Sequence, residues 1–169
     1  MTENAEAKVF ATKKYTVKNT KLSTVTLEQR TVKKKTYGDG YTHYAYDFAV
    51  YKGKRKLKQK LKYSDSFHAY DANAFATVTV IGHSSSPSLI ILTKQHNGWP
   101  FVDGVYSIVN GNLKKVKIKG DLGSFAFRYI GKNQIASKYY NRFLDKSYVY
   151  NSTFNAKTNT LTSKVVKTN

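Results

Sequence analysis

The chain has 169 residues, no cysteine, and 29 Lys plus Arg against 10 Asp plus Glu, a formal net charge of +19. That length suits one hydrophobic core. The lack of cysteine excludes disulfides and thiolate chemistry, and no run of about eighteen apolar residues is present to form a membrane-spanning helix.

A field this positive far exceeds the charge of about 2 to 8 that solubility asks of a small domain. It predicts polyanionic neighbours: nucleic acid, anionic lipid head groups or wall polymers. Only Arg30, Arg55, Arg128 and Arg142 are arginine, the residue whose planar fork best reads guanine edges, which weighs against sequence-specific DNA reading. Fourteen tyrosines and only two prolines suit sheets.

In chain order, residues 1–7 are small and acidic and read as a loose terminus. They lack the basic-then-apolar layout of a signal peptide, so the expectation is either a cytoplasmic protein or an exported one whose leader has been trimmed. Residues 8–169 read as a single all-β domain built mainly of antiparallel hairpins, as a sandwich, barrel or propeller-like arrangement. From Lys8 to Val32, with Tyr15 and Val17 sharing one face and Val25 and Leu27 another, two strands are predicted, joined near Lys18-Asn19-Thr20. Lys33-Lys34-Lys35 leads into a turn at Tyr37-Gly38-Asp39-Gly40.

The clearest pattern is residues 37–63, two alternating runs around Lys52-Gly53-Lys54-Arg55. Tyr44, Tyr46, Phe48 and Val50 fall on one face and Tyr41, His43, Asp47 and Tyr51 on the other. In the second arm Leu57, Leu61 and Tyr63 alternate with Lys56, Lys58, Lys60 and Lys62. Residues 65–75 carry the one predicted helix, short, capped by Asp65 or Ser66, with Phe67, Tyr70 and Ala74 on one face.

Residues 77–81 and 89–93 are the most apolar, β-branched runs and read as buried central strands, with 82–87 as the loop between them. Residues 95–100 read as a turn carrying Trp99, the only tryptophan. Residues 105–119 repeat the hairpin idea around an Asn110-Gly111 turn, Val116 and Ile118 inward and Lys115, Lys117 and Lys119 outward. A third hairpin turns at Gly131-Lys132-Asn133 and a fourth near residues 155–159.

Two binding chemistries follow. Lys56, Lys58, Lys60, Lys62, Lys115, Lys117 and Lys119, with Tyr41 and Tyr51, form a candidate platform for an anionic chain, whose binding would release counterions. The competing explanation is that lysines on edge strands block edge-to-edge aggregation. Trp99, with Tyr37, Tyr41 and Tyr51, offers ring faces for sugars or bases, as does Tyr139-Tyr140-Asn141-Arg142. His43, His68, His83 and His96 lack metal-ligand spacing, so neither a metal nor a cofactor is predicted. His83 beside Ser84, Ser85 and Ser86 lacks the strained G-x-S-x-G elbow of a hydrolase, so no catalytic residue is assigned.

In its lysine-rich, cysteine-free, Tyr/Thr/Asn/Val-heavy texture, as in VYNSTFNAKTNTLTSKVVKT and YSIVNGNLKKVKIK, the chain resembles cell-surface and S-layer-associated proteins of lactobacilli. The likeness is compositional. It implies export, a place in the Gram-positive wall and attraction to anionic wall polymers. The expectation is therefore a secreted or wall-associated, non-catalytic module binding an anionic polymer or glycan. A nucleic-acid-binding protein is the first alternative, and a glycan-processing or other hydrolytic enzyme the second.

Overall fold

The computed structural model describes residues 9–38, 41–57, 62–68, 78–96 and 99–169. Among them every regular element is a strand: β1 (Ala11–Lys18), β2 (Thr24–Thr36), β3 (Tyr41–Lys52), β4 (Arg55–Leu57), β5 (Lys62–His68), β6 (Val78–His83), β7 (Ser86–His96), β8 (Trp99–Val109), β9 (Asn112–Lys115), β10 (Lys117–Lys119), β11 (Phe125–Gly131), β12 (Gln134–Asn141), β13 (Lys146–Asn155) and β14 (Thr160–Thr168). No helix among these residues is long and apolar enough to cross a membrane.

The first sheet follows from strict alternation. In β1 and β2, Tyr15 stands opposite Leu27 and Val17 opposite Val25, and Val17, Val25 and Leu27 are buried. The connection is tied by Asn19, whose Oδ1 accepts from the amides of Lys21 and Ser23 at 3.0 and 2.9 Å. In β3 the predicted inner face, Tyr44, Tyr46, Phe48 and Val50, is buried. Both halves of the following arm pair with it: Val50 opposite Leu57 in β4, and Tyr46 opposite Tyr63 in β5. Gly53 opens the two-residue β3–β4 loop at φ 61°, the backbone that a type II′ hairpin requires of its first central residue.

The second sheet is ordered β6-β7-β8-β9 and the third β10-β14-β13-β12-β11. All pairings are antiparallel except β10 with β14. The second sheet is the middle layer, which explains why β7 is apolar without alternation: a strand buried on both faces has no polar side to show. Its even-numbered residues Ile90 and Leu92 pack with Leu27, Phe48 and Val50 of the first sheet. Its odd-numbered residues Leu89 and Ile91 pack with Ile135, Phe154 and Leu161 of the third. The result is three stacked layers with two cores, an open sandwich with no closed barrel.

Several local expectations change. Lys62–His68 pairs along β3 as a strand, taking the first part of the stretch read as a helix; residues 69–77 lie outside the described residues. The presumed loop at 82–87 shrinks to Ser84 and Ser85 because His83 pairs with Ser86. Pro87 falls within β7 beyond the reach of β8 and at the register shift of the β6–β7 ladder between Ile81 and His83, an irregularity of the kind at which a strand proline is accommodated. Gln95 and His96, read as part of a turn, belong to β7 and pair with Pro100 and Trp99 of β8; residues 97–98 lie outside the described residues. The arm after Asn110-Gly111 is two strands in different sheets: β9 belongs to the middle sheet, and after the buried Val116 the chain continues as β10 in the third. Such a change of sheet is a common way to turn a corner in a sandwich.

Candidate functional site: a basic edge and an aromatic groove

The exposed cations of β4, β9 and β10 lie on terminal strands, since each of these strands ends its sheet's pairing order. Lys56, Lys115, Lys117 and Lys119 are exposed, whereas their neighbours Leu57, Val116 and Ile118 pack inward. The three terminal strands come together on one side of the sandwich. A Cβ at Gly111, in the β8–β9 turn, would meet the Leu57 side chain of β4 at 3.1 Å. At the other junction Lys115 and Lys117 flank Val116, where the chain passes from the middle to the third sheet.

Asn159 secures that junction. Its backbone is left-handed, φ 51°. Its Nδ2 donates to the Lys115 carbonyl at 3.0 Å, its Oδ1 accepts from the Ser107 hydroxyl at 2.5 Å, and its carbonyl accepts from the Lys117 amide at 3.0 Å. One buried residue immediately before β14 thereby holds two predicted lysines, the Lys115 carbonyl through its side chain and the Lys117 amide through its own backbone carbonyl.

Sheets stack about 10 Å apart, so this basic edge runs across roughly 20 Å from the first layer to the third. Lys56 opens outward from the first sheet and Lys117 and Lys119 from the third, so the edge wraps the stack and is not a flat plate. Arg55 and Lys114 are exposed on it as well, two cations that the sequence reading did not single out. None of these side chains forms an ion pair with a described carboxylate: Glu28 and Asp47 bind Arg30, at 4.0 and 2.6 Å, and Asp103 binds Lys94 at 3.5 Å.

The remaining predicted residues divide. Tyr51 lies beside the edge, half-buried, opposite Lys56. Lys62 is placed by pairing opposite Asp47, and Tyr41 opposite His68. Lys58 and Lys60, like Leu61, lie outside the described residues. Tyr37 is at the far end of β3, where its ring meets His43 edge-on at 4.6 Å and lies under the Lys35 ammonium at 4.9 Å. His43 is eight residues from Tyr51, about 26 Å along a strand, so Tyr37 and Tyr51 form no joint platform.

Trp99 belongs to a different site. It starts β8, ten residues and roughly 33 Å from the strand's other end, and it is exposed. The fold brings it to Tyr140 at the end of β12, ring centroids 5.9 Å apart. Together with Phe101, Phe125, Tyr139 and Phe143 they line a groove of about 290 Å³ between the ends of the middle and third sheets. Phe101, Phe125 and Phe143 were not singled out in the sequence; each sits in an ordinary strand or turn context, and only the sheet stacking collects them.

The β12–β13 loop is shaped by two side chains. Asn141 Oδ1 accepts from the amides of Phe143 and Leu144 at 3.0 and 3.2 Å, and Asp145 closes the loop at φ 48°. Asp145 also accepts a 2.7 Å hydrogen bond from the Tyr140 hydroxyl, which pushes that phenol's pKa up. Phe143 is left 85% exposed at the loop tip, with the Arg142 guanidinium 5.1 Å from its ring, within cation–π range.

At the β6–β7 turn, His83 stacks on Tyr129 at 4.8 Å and its Nδ1 meets the Ser85 hydroxyl at 3.0 Å and the Ser85 amide at 3.3 Å. These contacts brace the turn, and the described residues show no triad. No group of three His, Asp or Glu that could hold a metal ion occurs among the described residues. Comparison with known proteins finds no match: no protein-family model, no curated protein and no solved structure aligns with the chain.

Proposed function

We propose that this protein is a secreted or wall-associated, non-catalytic module that adsorbs an anionic polymer along its basic edge. The observation that carries the reading is the gathering of β4, β9 and β10 on one side of the sandwich, through the Leu57–Gly111 contact and the Val116 crossover. Lysines 59 residues apart in sequence, Lys56 and Lys115, thereby serve one surface. Edge protection alone accounts for individual lysines, but not for a net charge of +19 with these cations unpaired. The cysteine-free, lysine-dominated composition supports a wall polymer over a base-reading role, because lysine is a point charge suited to phosphates and gives little base discrimination.

Binding to poly(glycerol phosphate) measured between about 50 mM and about 500 mM salt should weaken steeply, with a slope in log–log form of about −3 if four phosphates are neutralised. Lys56→Gln, Lys115→Gln, Lys117→Gln and Lys119→Gln combined should flatten the slope and lower affinity about tenfold or more without changing the melting temperature. Unchanged affinity at both salt concentrations would overturn the proposal. Single-stranded RNA that competes better than the wall polymer at equal phosphate would transfer the edge to nucleic acid.

A further inference from the structure

The groove at the Trp99 end of the sandwich is chemically unlike the basic edge. Its walls are aromatic, with Trp99 from β8, Phe125 from β11, and Tyr140 and Phe143 from the end of β12 and the loop after it, and Arg142 is the one formal charge in its lining. Two exposed lysines flank it by register, Lys138 opposite Phe125 and Lys146 opposite Asn141. The nearby carboxylates are already engaged, Asp145 by the Tyr140 hydroxyl and Asp103 by Lys94. An aromatic floor with a positive rim complements a ligand that has a C–H-rich face and negative substituents. A pyranose ring bearing a carboxylate meets both requirements, because its C–H bonds stack on the electron-rich ring face while the acid pairs with guanidinium.

We infer that this groove is a second binding site, for an acidic polysaccharide whose sugar rings stack on Trp99, Tyr140 and Phe143 and whose carboxylates face Arg142. It is separate from the lysine edge, so each site can fail without the other.

Trp99 is the only tryptophan in the chain, so its fluorescence reports on this groove alone. Titration with polygalacturonate should shift and saturate that emission. The fully methyl-esterified polymer, with the same backbone and no charge, should bind several-fold more weakly, and inorganic polyphosphate, which has no rings, should leave the emission unchanged. Phe143 is almost entirely exposed, so Phe143→Ala should keep the circular dichroism spectrum and lose about tenfold in affinity, about 1.4 kcal/mol. Arg142→Gln should abolish the preference for the charged polymer. No emission change with polygalacturonate, or an equal change with polyphosphate, would overturn the inference. So would a concentration-dependent emission shift of the protein alone with sedimentation as a dimer, which would make the groove a contact between copies.

Discussion

At the scale of single residues, the inward face of β2 continues past Val25 and Leu27 with two buried polar side chains, Gln29 and Thr31. Gln29 is fully buried. Its Oε1 accepts a hydrogen bond from the Tyr15 hydroxyl at 3.1 Å, while its Nε2 has no partner. Removing one partner of a buried pair costs more than replacing both. Tyr15→Phe should therefore cost about 1–3 kcal/mol in wild-type background and close to nothing beside Gln29→Met. A urea-denaturation double-mutant cycle measures that coupling, and additive costs would show the bond contributes nothing. Burial also pushes the Tyr15 phenol up from 10.0 to about 12. A raised folded-state pKa means that the contribution of the neutral phenol is complete below pH 10 and is lost as pH climbs from 10 towards about 12. The stability difference between wild type and Tyr15→Phe should narrow across that window.

At the scale of elements, turns do most of the specifying. Asn110 and Gly111 both have positive φ, as do Lys132 and Asn133, the backbone that a type I′ hairpin demands. The two four-residue loops after Asn141 and Asn155 use one device: an Asn Oδ1 accepts from amides two and three residues on, and a left-handed residue closes the loop. Asn159 extends that device by reaching into the neighbouring sheet. Asn159→Ala would orphan the Lys115 carbonyl and the Ser107 hydroxyl and strain a positive-φ site, so it should cost about 2–4 kcal/mol. It should also weaken polymer binding, since the Lys115 carbonyl loses its side-chain anchor while only the backbone bond to Lys117 remains. Thermal denaturation and the poly(glycerol phosphate) titration report the two effects separately; a stable variant with full affinity would remove Asn159 from the account of the edge.

At the scale of the whole molecule, the middle sheet joins two cores that share no side chains. Ile90 faces one and Ile91 the other, and both are completely buried. Ile90→Ala and Ile91→Ala should each cost about 2–5 kcal/mol. Because a single backbone layer carries both faces, both substitutions should lower the same single unfolding transition, followed by calorimetry. Two separated transitions, each moved by one substitution, would mean that the outer sheets melt independently. The basic edge depends on this layering, since its lysines come from all three sheets.

Period-two alternation alone placed Val17, Leu27, Phe48 and Val50 in a core, because strand side chains must alternate between faces. The unbroken apolar run at 89–92 likewise announced a strand covered on both sides, and Asn-Gly, Gly-Lys and Lys-Asn pairs located turns, because few residues accept positive φ. What sequence could not decide is which sheets stack, and therefore which distant surfaces meet. The paired strand Lys62–His68 replaced part of a short predicted helix, since β3 supplies ladder partners that local propensity does not record. Val116 shifted one arm into another sheet, separating a lysine row that had read as continuous. Tertiary stacking alone set Trp99 beside Tyr140 and separated it from Tyr51, because strand periodicity specifies a side chain's face but says nothing about the residue that will come to lie across the groove from it.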